Sequence, residues 1–166
     1  MRHVISILLQ NEAGALSRVA SLFSTRGYNI ESLSVAPTED PQVSRLTLVS
    51  IGSDQVISQI TQQLFKLVDV VNIADMTLGD HIERELLLLK LRVHDEHHDA
   101  VRDHARQLQA RILDDTMQNY TLEVTGSSGQ LDEFIDRVGG MADILAVVRS
   151  GPLSMARGQQ VLSATI

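Results

Sequence analysis

Apolar and polar positions fall into blocks along this chain, and the order of blocks occurs twice. Val4 to Leu9 is an apolar run of strand length, followed by Leu16, Val19, Ala20 and Phe23 at the spacing of a helix's inner face. Ile30 to Val35 and Arg45 to Ile51 predict two more strands. Gly52-Ser53-Asp54 then opens a helix with Ile57, Ile60, Leu64 and Leu67 on one face, and Val68 to Met76 predicts a closing strand. The second half repeats this with Leu86 to Val93, a helix from about His97 to Gln107, and strands at Ile112 to Thr116 and Thr121 to Thr125. A helix with Leu131, Phe134, Ile135 and Val138 inward follows, then a strand at Ile144 to Val148. Aligning Gly52 with Gly126 sets Ile57 over Leu131, Ile60 over Phe134, Leu64 over Val138 and Val70 over Ile144.

The unit is therefore βαββαβ, twice, the split βαβ arrangement of ferredoxin-like domains in the α+β class. The predicted domains are 1–77 and 78–166, joined near Leu78-Gly79-Asp80-His81. In such a unit both helices lie on one face of an antiparallel sheet, and a wet second face would make the strands alternate. Val4 to Leu9 and Leu86 to Leu89 are instead nearly continuous in apolar residues, so something else must cover them. Each half has about 75 to 90 residues, a size at which an isolated core is marginal. The halves are accordingly expected to pack on each other or on a second chain. The tail from Gly151 to Ile166 lacks periodicity and is expected to be poorly ordered or to contact a partner.

Composition removes several function classes. The chain has no Cys, which excludes a disulfide framework, a thiolate nucleophile and a Cys-ligated metal. A net charge of −7 without a run of Lys or Arg opposes a nucleic-acid partner, and the predicted central strands lack aromatic residues to stack bases. No stretch has the length and apolarity of a membrane span, and the N-terminus does not read as a signal peptide, so a soluble cytoplasmic protein is expected. Scattered Ser, His and Asp residues form no recognisable catalytic constellation.

The most informative segment runs from Asn11 to Pro37. Gly14 falls between an apolar strand and a helix, where a ligand can approach the backbone closely. Unpaired amides of the first helical turn and the positive end of the helix dipole favour an anion there, the dipole by roughly 0.3 to 2 kcal/mol. Gly27 is placed to end the helix, and Asn29 follows at the mouth of the next strand. Asn11 and Asn29 carry both donors and acceptors, so they can answer the carboxylate and ammonium groups of an amino acid.

Two other motifs invite a chemical reading. Gly126-Ser127-Ser128-Gly129 suggests a phosphate cradle, but the P-loop Lys is missing and Ser127 with Gln130 has the spacing of a capping box. His94-Asp95-Glu96-His97-His98-Asp99 has metal-ligand residue types, yet it also reads as a solvated loop and first helical turn, and no metal site is assigned. That run occupies the second-half position equivalent to the Asn11 to Gly14 loop and has no Gly, so the repeat is expected to lack an equivalent carboxylate site.

Taken in order, Asn11-Glu12-Ala13-Gly14-Ala15-Leu16-Ser17-Arg18, Arg26-Gly27-Tyr28-Asn29-Ile30-Glu31-Ser32-Leu33 and Ala36-Pro37-Thr38 closely resemble the small regulatory subunits of acetolactate synthase. The likeness extends through Gln62 to Val71, Glu83-Arg84-Glu85 and Val148-Arg149-Ser150-Gly151, nearly the whole chain. The resemblance implies an N-terminal ACT domain, a C-terminal ACT-like domain, a homodimer, and a branched-chain amino acid effector, usually valine, held where two ACT domains meet. It implies no catalysis in this chain, which would activate a large catalytic subunit and make it sensitive to feedback inhibition. Thiamine diphosphate, Mg and FAD would belong to that subunit. The ligand residues so implied are Asn11, Ala13, Gly14, Ala15, Leu16, Asn29 and Ile30. A free-standing amino-acid sensor acting on transcription or another enzyme is the alternative reading.

Overall fold

A computed structural model describes residues 1–116 and 119–164. The chain forms two compact units. The first comprises Met1–Ile82 together with the segment from Pro152 onward, and the second is Glu83–Gly151. By its contacts the C-terminal segment groups with the first unit.

The first unit runs β1 (Arg2–Gln10), α1 (Ala15–Thr25), β2 (Ser32–Pro37), β3 (Val43–Ile51), α2 (Asp54–Leu64) and β4 (Val70–Asp75). Its antiparallel sheet has the order β2-β3-β1-β4. Ile5, Ile7 and Leu9 of β1 and Leu46 and Leu48 of β3 form one core with Val19, Phe23, Ile57, Ile60 and Leu64 of the helices. Leu16 departs from expectation: it is 39% exposed, and the buried faces of α1 are Ala15, Val19 and Phe23. A small residue at the start of the stripe was the inward one, which apolar periodicity does not reveal.

The second unit contains most of β5 (His81–Val93), then α3 (His98–Gln107), β6 (Arg111–Thr116), β7 (Asn119–Gly126), α4 (Ser128–Gly139) and β8 (Ala142–Arg149). Its strand order is β6-β7-β5-β8, the same topology as the first. The internal alignment holds at Leu131, Phe134 and Val138, all buried like Ile57, Ile60 and Leu64. Ile144 does not follow Val70: β4 and β8 are both sheet edges, but Val70 is half-buried against the first unit's core whereas Ile144 is 39% exposed on a strand that exposes nearly its whole length. Leu87 and Leu89 are buried whereas Leu86 is 40% exposed, so β5 alternates despite its continuous apolar sequence.

Gly126 to Gly129 is a helix cap. Ser127 accepts from the Gln130 amide, and the Gln130 side chain accepts from the Ser127 amide at 2.9 Å. Ser127→Ala is expected to destabilise the second unit by about 1 kcal/mol, read from urea denaturation of the full chain.

Pro152 onward is ordered over the described residues. Leu153–Ala156 forms a short strand, β9. The Arg157 amide donates to the Asp80 carbonyl at 3.0 Å, and Ala156 packs against buried Val4, Val49 and Met76. Part of the apolar covering demanded by β1 therefore comes from this chain's own C-terminal segment.

Candidate functional site

The loop after β1 is shaped by Gly14. Its φ of 88° lies in the left-handed region, and no side chain caps α1. The Ala15 amide donates to the Glu12 carbonyl at 3.2 Å, and the Arg18 amide closes the first turn on Gly14 O at 3.0 Å. The Leu16 and Ser17 amides occupy the positions at which a helix start offers donors to a ligand or water. Ala15, the first residue of α1, has its amide engaged and its side chain buried. Ala13 and Leu16 are exposed.

Arg18 is the residue that sequence reasoning missed. Asp69 holds it bidentately, Nε to Oδ2 at 2.5 Å and Nη2 to Oδ1 at 2.7 Å. The third nitrogen, Nη1, is left over the loop: a Cβ built on Gly14 would lie 2.8 Å from it. Asp69 is buried, and its carbonyl accepts from the Gln10 amide at 2.8 Å, so the anchor is tied to the end of β1. The hydrogen bonds to Arg18 hold the Asp69 carboxyl below its ordinary value against the opposing effect of burial, and raise Arg18 above its own. A fixed guanidinium thus stands beside the helix start. The available signal was the four-residue spacing from Gly14, which turns a long helical side chain back over the preceding turn.

The two asparagines lie at different ends of the unit. Asn11 donates from Nδ2 to Pro41 O at 2.9 Å, while its backbone amide donates to Gln42 O at 2.7 Å. Asn29 donates from Nδ2 to Glu31 Oε1 at 2.6 Å, and its carbonyl accepts from Ser50 Oγ at 2.8 Å. Ser50 pairs with His3 at the start of β1, whereas Val43, next to Gln42, pairs with Gln10 at its end. The 11 residues of α1, about 16 Å of helix, separate Gly14 from this second group. Ile30, half-buried, packs on the core at the Asn29 end. One copy of the chain brings Asn11, Ala13, Gly14, Ala15 and Leu16 together; it does not bring Asn29 and Ile30 to them.

Comparison with known proteins decides the family. A family model described as "AHAS small subunit-like ACT domain" matches residues 5–98, and one described as "Small subunit of acetolactate synthase" matches residues 84–158. The chain is 44% identical to the acetolactate synthase isozyme 3 small subunit of Escherichia coli, over 98% of this chain and 99% of that one. The acetolactate synthase small subunit of Haemophilus influenzae is 43% identical over 96% and 98%. A crystal structure of the Thermotoga maritima small subunit superposes with a TM-score of 0.83 at 30% identity, covering 96% of this chain and 99% of that one. The chain belongs to the acetolactate synthase small-subunit family.

As a small subunit of this family it is a non-catalytic regulatory chain, with an N-terminal ACT domain and an ACT-like second domain. In this small subunit the second unit's loop equivalent to Asn11 to Gly14 runs His94 to Asp99. His98 Nδ1 lies 3.0 Å from the Tyr120 hydroxyl, and His94 sits 3.5 Å from Asp143. These side chains engage neighbours individually, and no metal-binding cluster occurs among the described residues. No helix among them is long and apolar enough to cross a membrane.

Proposed function

We propose that this chain forms a homodimer that binds a branched-chain amino acid, valine first among them, and thereby sets the activity of a separate acetolactate synthase catalytic subunit. The relatives' names speak of small subunits of that enzyme, which supports the large chain as partner. The observation that carries the site is the separation of its two halves along α1. The Gly14 loop of one copy, with Arg18, would hold the ligand's carboxylate. Asn29 and Ile30 of a second copy would supply polar and apolar contacts from across the interface. Strand β2 is a sheet edge and Leu16 is partly exposed, which suits association through this side of the unit.

A ligand shared by two copies binds one dimer geometry better than another. Only that difference in affinity can shift a population, by about 1 to 3 kcal/mol in typical allosteric coupling. Feedback inhibition follows when the favoured geometry is the less activating one.

Mixing two defective variants tests the proposal. Gly14→Asp and Asn29→Ala are each expected to lose valine uptake in calorimetric titration. Heterodimers reconstituted from the two recover one intact site, because the unmodified Gly14 loop of one copy meets the unmodified Asn29 of the other. A site confined to one copy would recover nothing on mixing, and that result would overturn the reading.

A further inference from the structure

The sheet face of the first unit turned away from its helices presents Arg45, Thr47 and Val49 of β3 opposite Leu8, Ser6 and Val4 of β1. The C-terminal segment crosses this face. Leu162 O accepts from Arg45 Nη2 at 2.8 Å, Asn72 Nδ2 donates to Ser163 O at 2.9 Å, and Arg157 pairs with Asp80 at 3.1 Å. Segment and sheet line a half-open pocket of about 310 Å³. That volume lies at the lower end of the range for small-molecule sites.

The walls of this cavity are of two kinds. Ala74, Met76, Met155, Val161 and Leu162 make it largely aliphatic, and Arg45 supplies a cation. Arg45 is half-buried, and the acceptors it reaches are neutral: Ser6 Oγ at 3.3 Å and Leu162 O. No carboxylate pairs with it among the described residues. Asp75 and Asp80 also line the cavity but are engaged elsewhere, Asp75 by the Thr77 amide at 3.0 Å and Asp80 by Arg157. A guanidinium partly stripped of water and bonded only to neutral oxygens gains from an incoming carboxylate, whose hydrogen bonds are charge-assisted on both sides.

We infer that this cavity is a second small-molecule site, taking a short aliphatic monocarboxylate. The carboxylate lies on Arg45, and the hydrocarbon lies among Met76, Met155 and Val161. No residue of the Asn11 to Leu16 loop lines it, so it is distinct from the effector site proposed above and does not depend on that reading. Its walls come from both the sheet and the C-terminal segment, so an occupant fastens the segment down. Free amino acids and 2-oxo acids share the required chemistry.

Methionine methyl groups report directly on this site. Met76 and Met155 line the cavity, while Met141 lies in the second unit and serves as the control. The full chain, labelled with methyl-¹³C methionine, is titrated separately with 3-methylbutanoate, 3-methyl-2-oxobutanoate and valine, each also in the Gly14→Asp background. The expected result is a saturable shift of the Met76 and Met155 resonances with at least one ligand, unchanged by Gly14→Asp, with Met141 unmoved. Saturation by valine but not by the two acids lacking an ammonium group assigns the site to amino acids; the reverse assigns it to 2-oxo and simple acids. Arg45→Gln is expected to weaken the response about tenfold or more. Should that variant fail to fold, Val161→Trp places the chain's sole indole at the exposed rim, and the same ligands must then change its emission saturably. Methyl resonances unmoved by all three compounds, an equal response in folded Arg45→Gln, or an indole blind to every ligand would overturn the inference.

Discussion

Gly14→Asp is expected to leave activation of the catalytic subunit intact while removing its inhibition by valine. Three effects at this position act in the same direction. The residue sits at φ 88°, where an L side chain is strained. A Cβ there would lie 2.8 Å from Arg18 Nη1, a group that Asp69 prevents from swinging freely aside. The new carboxylate would lie against the same guanidinium and first-turn amides that the proposal reserves for the ligand's carboxylate. Losing charge-assisted hydrogen bonds, at about 1.5 to 3 kcal/mol, weakens valine binding by roughly ten- to hundredfold before any repulsion is added. Gly14→Ala brings the strain and the contact without the charge, so its effect should be intermediate. The measurement is acetolactate formation by the cognate large chain reconstituted with each variant and titrated with valine. Retained valine sensitivity in Gly14→Asp would remove the Gly14 loop from the effector site.

Why some of this was legible in the sequence and some was not follows from the range of the interactions. Helices α2 and α4 could be read closely because their determinants are local: Ser53 and Ser127 cap them, and buried residues recur at helical spacing. Gly14 stood out in the sequence as a glycine between strand and helix, where the backbone is open to close approach, while its left-handed φ of 88° came only with the structure. The Arg18–Asp69 pair was not, since it joins residues 51 positions apart and nothing near Arg18 names its partner. The C-terminal segment is the extreme case: its aperiodic sequence hides a strand and contacts to Arg45, Asn72 and Asp80. The continuous apolar run of β1 had signalled that a cover was needed, but not that the chain supplied part of it. The separation of Gly14 from Asn29 was within reach of sequence, because a helix of the predicted length must part the residues that flank it.

Arg149→Met is expected to cost the second unit about 3 kcal/mol, because it strands a buried carboxylate. The Glu85 side chain is only 4% exposed, and Arg149 at the end of β8 grips it bidentately, Nε to Oε1 at 2.9 Å and Nη2 to Oε2 at 2.8 Å. The guanidinium reaches Asp132 of α4 as well, and the Ser128 hydroxyl lies 2.9 Å from Glu85 Oε2, so strand, strand and helix meet on one ion pair. Burial alone would push the Glu85 carboxyl up, but hydrogen bonds from Arg149 and Ser128 outweigh it and hold the group below its ordinary range. In the natural chain this contribution is therefore complete above the ordinary carboxylate value and is lost as pH falls through the depressed one. Without Arg149 the sign reverses. Burial then dominates and raises Glu85, so the variant is penalised at neutral pH and relieved on protonation. The stability gap between the two chains, read from urea denaturation, should be widest near neutrality and narrow on acidification. Adding Glu85→Gln to Arg149→Met should recover part of the loss at neutral pH, since no buried charge remains unpaired. A gap that stays constant with pH and survives the double substitution would mean that Arg149 acts through the packing of its aliphatic stem rather than its charge.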